Sequence, residues 1–397
     1  MKTAVAADLH FGRGGERGVT QYRESFREMI DGIISHGVHV AIFAGDTFNR
    51  WSWFNPRTFC IVAEGIRRLR EKNIVVIMLA GNHDYDLAGT EPAIAPFADL
   101  GARIVTEPEW IPLGIGGTPE ILNIFAVPWI TKGMALKAGL NLKTDVESIN
   151  EQIAKHFVFP QLKNPDPAQD SLLIFHASIF GMDMGSSTCV SGVDFTLNPD
   201  WLNGRGFNHI IGGHFHRRQK KDGIHYVGSM ERQTFGERDN PCGWMLLDGK
   251  EYEFIELEKP MRFVEISFDL TEEFTSGQPP ITDFTIGVDV KNAAVKVKYR
   301  MRKNDPFDRA RLLRELYGAG ALSVIMEVEY IEEIQLRTQE IKAEQDILTQ
   351  FKIWKEMNPD KDADGELEAL LMRELQNSFP DDVDKSYLTG MMNGGKR

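Results

Sequence analysis

The apolar positions of this chain fall into short unbroken runs and longer stretches with helical spacing. Residues 2–7, Val38–Ala44, Ile74–Leu79, Leu172–Phe175 and His209–Ile211 are runs of the first kind. They are too short for helices and lack polar alternation, so they read as strands buried on both faces of a parallel sheet. Residues 20–36 place Tyr22, Phe26, Met29, Ile30 and Ile33 on one helical face. Residues 57–72 follow Pro56, which suits a helix N-terminus. The same patterns predict a helix at 93–100, strands at 103–105 and 121–127, mostly helix over 132–160, and a glycine-rich loop from Gly12 to Gly18. Strands alternating with helices place the chain in the α/β class.

The strand ends change the picture. Each run finishes in polar residues of one type: Asp8-Leu9-His10, Gly45-Asp46, Gly81-Asn82-His83-Asp84, His176, and Gly213-His214-Phe215-His216. Ligands bind at the carboxyl ends of strands in open α/β sheets. One Asn-His-Asp alone also fits a simple turn, but recurrence at five strand ends favours a metal site. Alternation along an extended chain puts Asp8 and His10 on one side, and His214 and His216 likewise. Imidazole nitrogen mixed with carboxylate and amide oxygen, without thiolate, suits manganese, iron or zinc. Asp8, His10, Asp46, Asn82, His176, His214 and His216, with His83 kept free, are too many donors for one ion. They suit two ions sharing a carboxylate. His36, His39, His156, His209 and His225 lack such a context and read as structural. Trp51, Trp53 and Phe54 read as packing against the next helix, with a stacking wall beside the site as the other reading.

Composition adds bounds. Hydrophobic residues are 42% and charged residues 26% of 397, enough for a real core and two or three domains. No apolar run reaches a membrane span, and the N-terminus lacks a signal-peptide pattern. Cys60, Cys189 and Cys242 are not closely spaced, which argues against a disulfide framework or zinc knuckle and fits a reducing cytosol. The net charge of −13 counts against nucleic acid, although cations and local basic patches reverse a field. One such patch is legible. Residues 295–302 alternate apolar and basic, which puts Lys296, Lys298, Arg300 and Arg302 on one strand face. Their spacing of roughly 6.6–6.8 Å matches successive phosphates, so the face reads as phosphate-contacting. Arg217, Arg218, Lys220 and Lys221 extend this path from His216. The acidic stretch 331–397 carries two helical apolar faces, Ile347, Leu348, Phe351, Trp354 and Met357, then Leu367, Leu370, Leu371 and Leu375. Faces without a home in the core read as partner-binding. Asp360-x-Asp362-x-Asp364-Gly365 starts like a calcium loop but has Leu371 at its twelfth position, so calcium is not expected there. The end from Gly390 reads as disordered.

Taken in order, the five motifs resemble those of the calcineurin-like metallophosphoesterases, over residues 1 to about 258. That resemblance implies an αββα sandwich. It implies one metal held by Asp8, His10, Asp46 and His216 and a second held by Asp46, Asn82, His176 and His214. It makes His83 the group that meets the scissile phosphate, Asp84 the residue orienting its ring, and hydroxide the nucleophile. Asp84 stands where phosphoprotein phosphatases usually carry Glu. The chain is closer to the SbcD-type DNA repair nuclease subunit, partner of an SMC-like ATPase of the SbcC type. This closer resemblance implies a nuclease domain at 1–258, a DNA-binding α+β capping domain at 259–330 and a helical ATPase-binding tail at 331–397. It also implies two Mn2+ ions (Mg2+ as a substitute), a homodimer, and cleavage of duplex ends, hairpins and single strands. Asn49 departs from several members, which have a His there associated with exonuclease action. Two other functions use the same motifs: a small-molecule or cyclic-nucleotide phosphodiesterase, typically without cap and tail, and a mainly DNA-tethering subunit. The complete ligand set argues against the latter.

Overall fold

The structure is a computed structural model that describes residues 1–12, 15–49, 55–85, 91–114, 121–142, 145–185, 195–270, 288–303, 307–331, 347–358, 365, 367, 369–371 and 373. The chain runs through β1 (Lys2–Ala6), α1 (Gly15–Ser35), β2 (Val40–Ala44), α2 (Pro56–Glu71), β3 (Val75–Leu79) and β4 (Ala102–Val105). It continues with β5 (Glu109–Gly114), β6 (Ile121–Val127), α3 (Lys132–Lys137), α4 (Val146–Ile153), β7 (Asp170–His176), β8 (Ser178–Ile179) and β9 (Thr196–Leu197). Then come β10 (His209–Gly213), β11 (Gln219–Lys221), β12 (Ile224–Tyr226), β13 (Gly243–Asp248) and β14 (Glu251–Glu256).

These strands build two sheets. The first has the order β14-β13-β1-β2-β3-β4, parallel from β1 to β4. The second has the order β11-β12-β10-β7-β6-β5, parallel from β12 to β6 and antiparallel at its edges. Successive strand residues face opposite ways. Ala6, Phe43 and Met78 therefore meet α1 and α2 through Phe26, Ile30 and Ile66. Val5, Ile42 and Ile77 turn the other way and pack on Ile124, Ile174 and Ile211 of the second sheet. Phe125, Leu173 and Phe175 cover Ile149 and Ile153 of α4. Both faces of the central parallel strands β1, β2, β3, β7 and β10 are dry, which is why their sequence is unbroken apolar. The result is the expected αββα sandwich.

Some elements differ from the sequence reading. α1 begins at Gly15, so residues 15–18 are helical rather than loop. Residues 93–100 form a 3-10 turn, Ala95–Leu100, that ends on left-handed Gly101. The stretch 132–160 breaks into α3, α4 and a π turn, Ala154–Val158. β5 was not expected because Pro112 interrupts its pattern; it is an edge strand, where a missing N–H is tolerated. The readings of Trp51, Trp53, Phe54, Cys189, Asp360 to Asp364, Leu375 and the glycine-rich end fall outside the described residues.

After β14 the chain forms β15 (Arg262–Asp269), β16 (Ala293–Arg302), α5 (Arg309–Gly318) and β17 (Ser323–Ile331). The three strands make one sheet with β16 in the centre. Leu312 and Leu316 of α5 are buried with Val295, Val297, Tyr299 and Met301. Met1–Met301 and Asp305–Glu329 form one compact unit, and Arg302–Asn304 with Tyr330–Arg397 a second. The second unit contains α6 (Ile347–Met357), on which the Phe351 and Trp354 rings stack 5.6 Å apart. Leu367 and Leu370 are exposed and Leu371 is half-buried. Among the described residues, no helix is long and apolar enough to cross a membrane.

Candidate metal centre

The five strand ends converge from both sheets. β1, β2 and β3 deliver Asp8, His10, Asp46 and Asn82, and β7 and β10 deliver His176, His214 and His216. Donor atoms fall into three overlapping groups, each within 4.8 Å: Asp8, His10 and His216; His10, Asp46 and His83; and Asp46, His176 and His214. Asn82 Oδ1 joins the last group, 3.1 Å from both His176 Nε2 and His214 Nδ1. All seven predicted ligands are thus brought together. Asp46 lies between two subsites, with Oδ2 3.7 Å from His10 Nε2 and Oδ1 3.4 Å from His176 Nε2. His214 and His216 serve different subsites, as the family resemblance implies, although strand alternation alone would put both on one side.

The backbone that achieves this is not simple extended chain. Asp8, His10, Asp46 and His214 have φ of 52, 49, 53 and 106°. Such left-handed conformations at non-glycine residues store strain and concentrate at functional sites. The loops after β1 and β2 continue to pair past the sheet, through Asp8 N–H to Gly45 O at 3.1 Å, His10 N–H to Asp46 O at 2.9 Å and Phe11 N–H to Thr47 O at 3.0 Å. Asp8 and His10 therefore meet by a left-handed turn, not by strand alternation. Glycine permits the close approach of the sheets: a Cβ on Gly213 would lie 2.3 Å from Ala44 O.

The donors fit divalent cations. His176 Nδ1 donates to Ala44 O at 2.7 Å, which turns its Nε2 towards Asp46 and Asn82. His216 Nδ1 faces Glu237 Oε1 at 3.0 Å, leaving its Nε2 beside His10 Nε2 at 2.9 Å. Outer partners of this kind fix the tautomer and aim the other nitrogen at a metal. Asp8 and Asp46 are buried at 0% and 1% exposure, so their charges need compensation. Burial pushes Asp8 up to about 6 despite the imidazoles of His176 and His216. Burial would also raise Asp46, but the charges of His176 and His83 outweigh it and hold Asp46 well below the usual carboxylate range. For His176 the attraction of Asp46 outweighs burial and lifts the ring to about 9, while burial and the His176 charge push His214 down to about 3.

His83 stands at the mouth. Its ring lies edge-on to His10 at 4.8 Å, and its Nδ1 is hydrogen-bonded to the Asn49 carbonyl. The expectation that Asp84 orients this ring is corrected. Asp84 is fully buried and accepts from the N–H groups of Thr47, Phe48 and Gly81 at 3.3, 3.0 and 2.9 Å. It ties the two loops together; the ring is set by Asn49. Two further residues carry no sequence motif, Glu237 and Trp129 (ring 5.0 Å from His214), and the Asn49 position, noted for its side chain, contributes its carbonyl.

The basic strand face also needs correction. β16 is central, and its neighbours bring acid to the same face. Lys296 pairs with Glu327 at 2.9 Å, Lys298 with Glu265 at 2.8 Å, and Arg300 with Asp269 and Glu329, each at 3.3 Å. The face is therefore mixed in sign, not uniformly basic. Arg302 falls in the other unit. Arg217 pairs with Asp183 at 2.7 Å, and the Arg218 guanidinium lies over the Phe254 ring at 4.5 Å.

Matches among solved structures, at low identity and low TM-score, include three proteins. One is Yfce, a phosphoesterase from E. coli, with 12% identity over 65% of this chain and 94% of that chain, TM-score 0.28. Another is the Pseudomonas putida nuclease MPE, with 13% identity over 64% and 87%, TM-score 0.28. The third is a dimetal phosphatase from Danio rerio, with 8% identity over 65% and 96%, TM-score 0.38. No curated protein matches the chain. The family model of calcineurin-like phosphoesterase matches residues 1–218, more than half of the chain and a span that includes all seven converging donors. The chain belongs to the calcineurin-like phosphoesterase family and is a metal-dependent hydrolase.

Proposed function

We propose that this protein is a two-cation phosphodiesterase that cleaves DNA, acting as a homodimer with an SMC-like ATPase of the SbcC type in a reducing cytosol. The observation that carries the reading is where the sheet of β15 to β17 packs. The turn that bears Glu237, the partner of His216, packs directly against β15, through Phe235 on Phe263 at 4.9 Å and Arg238 on Glu265 at 3.5 Å. A folded platform built against the rim of a phosphoester site suits a polymer that extends past the reacting phosphate.

Asp8, His10 and His216 with Asp46 would hold one cation, and Asn82, His176 and His214 with Asp46 the other. Bound divalent cations supply Lewis acidity and neutralise a phosphoryl group. An imidazole-rich set favours Mn2+ over Mg2+. His83 remains as the proton carrier. Its Nδ1–H is engaged by Asn49 O, so its Nε2 holds a proton towards the site when the ring is an imidazolium. From there it can hydrogen-bond a phosphoryl oxygen or protonate the leaving oxygen. The stacked Phe351 and Trp354 of α6 offer an aromatic anchor for the ATPase, with Leu367, Leu370 and Leu371 beyond it.

The ion-paired face of β16 favours a second reading, a small-molecule or cyclic-nucleotide phosphodiesterase, because DNA phosphates would have to displace Glu265, Asp269, Glu327 and Glu329. Chelated protein with Mn2+ or Mg2+ restored separates the two. Cleavage of linear duplex, hairpin and single-stranded DNA, greater with Mn2+, supports the first. Turnover of cyclic nucleotides with intact DNA establishes the second. For the partner, Trp354→Ala should weaken co-purification with the ATPase by about 2 kcal/mol; equal recovery would remove that part of the proposal.

A further inference from the structure

A buried hydrogen-bonded line runs from the start of the small domain to the His216 subsite. At its outer end, Met261 N–H donates to Glu231 Oε2 at 2.8 Å, and Arg232 Nη1 donates to Met261 O at 3.2 Å. Glu231 also accepts from Ser25 Oγ, and from Gln21 Nε2 at 3.4 Å. Gln233 carries the line inward: its Nε2 donates to Glu231 O at 3.1 Å, and its N–H donates to Glu237 Oε2 at 2.6 Å. Glu237 Oε1 then meets His216 Nδ1 at 3.0 Å. Glu231, Gln233 and Glu237 are 0, 6 and 1% exposed.

The same turn is gripped from outside. The small domain sets Phe263 edge-on to Phe235 at 4.9 Å, places the Lys296 ammonium 5.0 Å over the Phe235 ring, and brings Glu265 to Arg238 at 3.5 Å. Glu237 is thus held between a cation subsite and the sheet of β15 to β17. A buried carboxylate is costly unless donors meet both oxygens. Here one oxygen takes the Gln233 N–H and the other the His216 ring, so moving the turn moves the ring.

We propose that Glu237 is a positioning residue for His216, and that the seating of the small domain, through Phe263 and Glu231, sets the cation affinity of the His216 subsite. The proposal rests on the reading that two cations bind at the strand ends. Such coupling is reciprocal: a cation that pulls His216 into line must also tighten the contacts of Met261.

The test titrates Mn2+ into chelated full-length protein by calorimetry, with hydrogen exchange followed at residues 258–269. Wild type should bind two ions per chain. Glu237→Gln should weaken one of them about 10- to 100-fold, the range for an outer partner of a metal-bound His, with the other within about twofold. Phe263→Ala, outside the site, should weaken the same ion about three- to tenfold. Mn2+ should slow exchange at 258–269 in wild type and not in Glu237→Gln. Wild type that binds no ion would overturn the two-cation reading. Wild type with two ions, and variants with both affinities unchanged or equally weakened, would overturn the proposal and leave that reading standing. Glu237→Gln preserves side-chain size, so it decides the question even where Phe263→Ala does not fold.

Discussion

Gly45→Ala adds one methyl group and should remove one of two cations. Gly45 has φ of 94°, and a Cβ there would sit 2.0 Å from His176 Nδ1 and 2.4 Å from its Cγ. Left-handed backbone disfavours an L-residue by roughly 1–2 kcal/mol. Overpacking against a fully buried ring costs about 1–3 kcal/mol. Moving the ring also breaks its 2.7 Å bond to Ala44 O, worth about 0.5–1.5 kcal/mol. Together these remove on the order of 3–6 kcal/mol, a large part of the 5–15 kcal/mol typical of a domain. Displacement of His176 disables the subsite it shares with Asp46, Asn82 and His214, while Asp8, His10 and His216 keep their places. Guanidinium unfolding of chelated protein measures the first effect, and Mn2+ bound per chain measures the second. The expected result is a lower midpoint and one ion instead of two. A variant with the wild-type midpoint and two ions would refute the account of why this residue is glycine.

His83→Gln should keep both cations yet lose about 10²–10³-fold in turnover, the typical value of one transition-state donor; metal content measured beside the rate checks it, and loss of an ion would make His83 a ligand. Asp84→Asn turns an amide N–H2 towards backbone N–H groups that need an acceptor. It should lower stability by about 1–3 kcal/mol, read from the denaturant midpoint. Glu231 gives a pH dependence: burial lifts it from 4.5 to about 7 against its hydrogen bonds from Ser25 and Met261. Because the folded value is raised, its contribution is fully present below pH 4.5 and lost as pH rises through 7, about 3 kcal/mol over that window. Unfolding free energy of wild type minus that of Glu231→Gln should fall between pH 5 and 8, and a flat difference would contradict the burial argument.

The layers and the ligands were legible in the sequence for the same reason. A strand dry on both faces must be an unbroken apolar run, so its end is marked by the first polar residues, and in this fold those residues are the site. Asp8, His10, Asp46, Asn82, His176, His214 and His216 each stand at such an end. How they meet is set by the backbone. Alternation accounts for neither arrangement: with left-handed φ at Asp8, His10 and His214, Asp8 and His10 meet through a turn, and His214 and His216 go to the separate subsites that the family resemblance implies. The same polar pattern at a strand end is compatible with either backbone.

What sequence could not show was what lies one strand away. Lys296, Lys298 and Arg300 do share a face, as period two requires, but the sign of that face depends on Glu265 and Asp269 of β15 and Glu327 and Glu329 of β17. Those residues are tens of positions distant and follow no motif. Glu237 is the counterpart at the metal centre: 21 residues after His216, in a 3-10 turn, it becomes a partner only because the chain returns past β12. Strand ends are local facts, whereas charge pairing across a sheet and the outer partner of a ligand are facts of topology. The donors of a metal centre at strand ends are therefore written in contiguous sequence, whereas the surface that meets substrate is written only in the order of strands across a sheet.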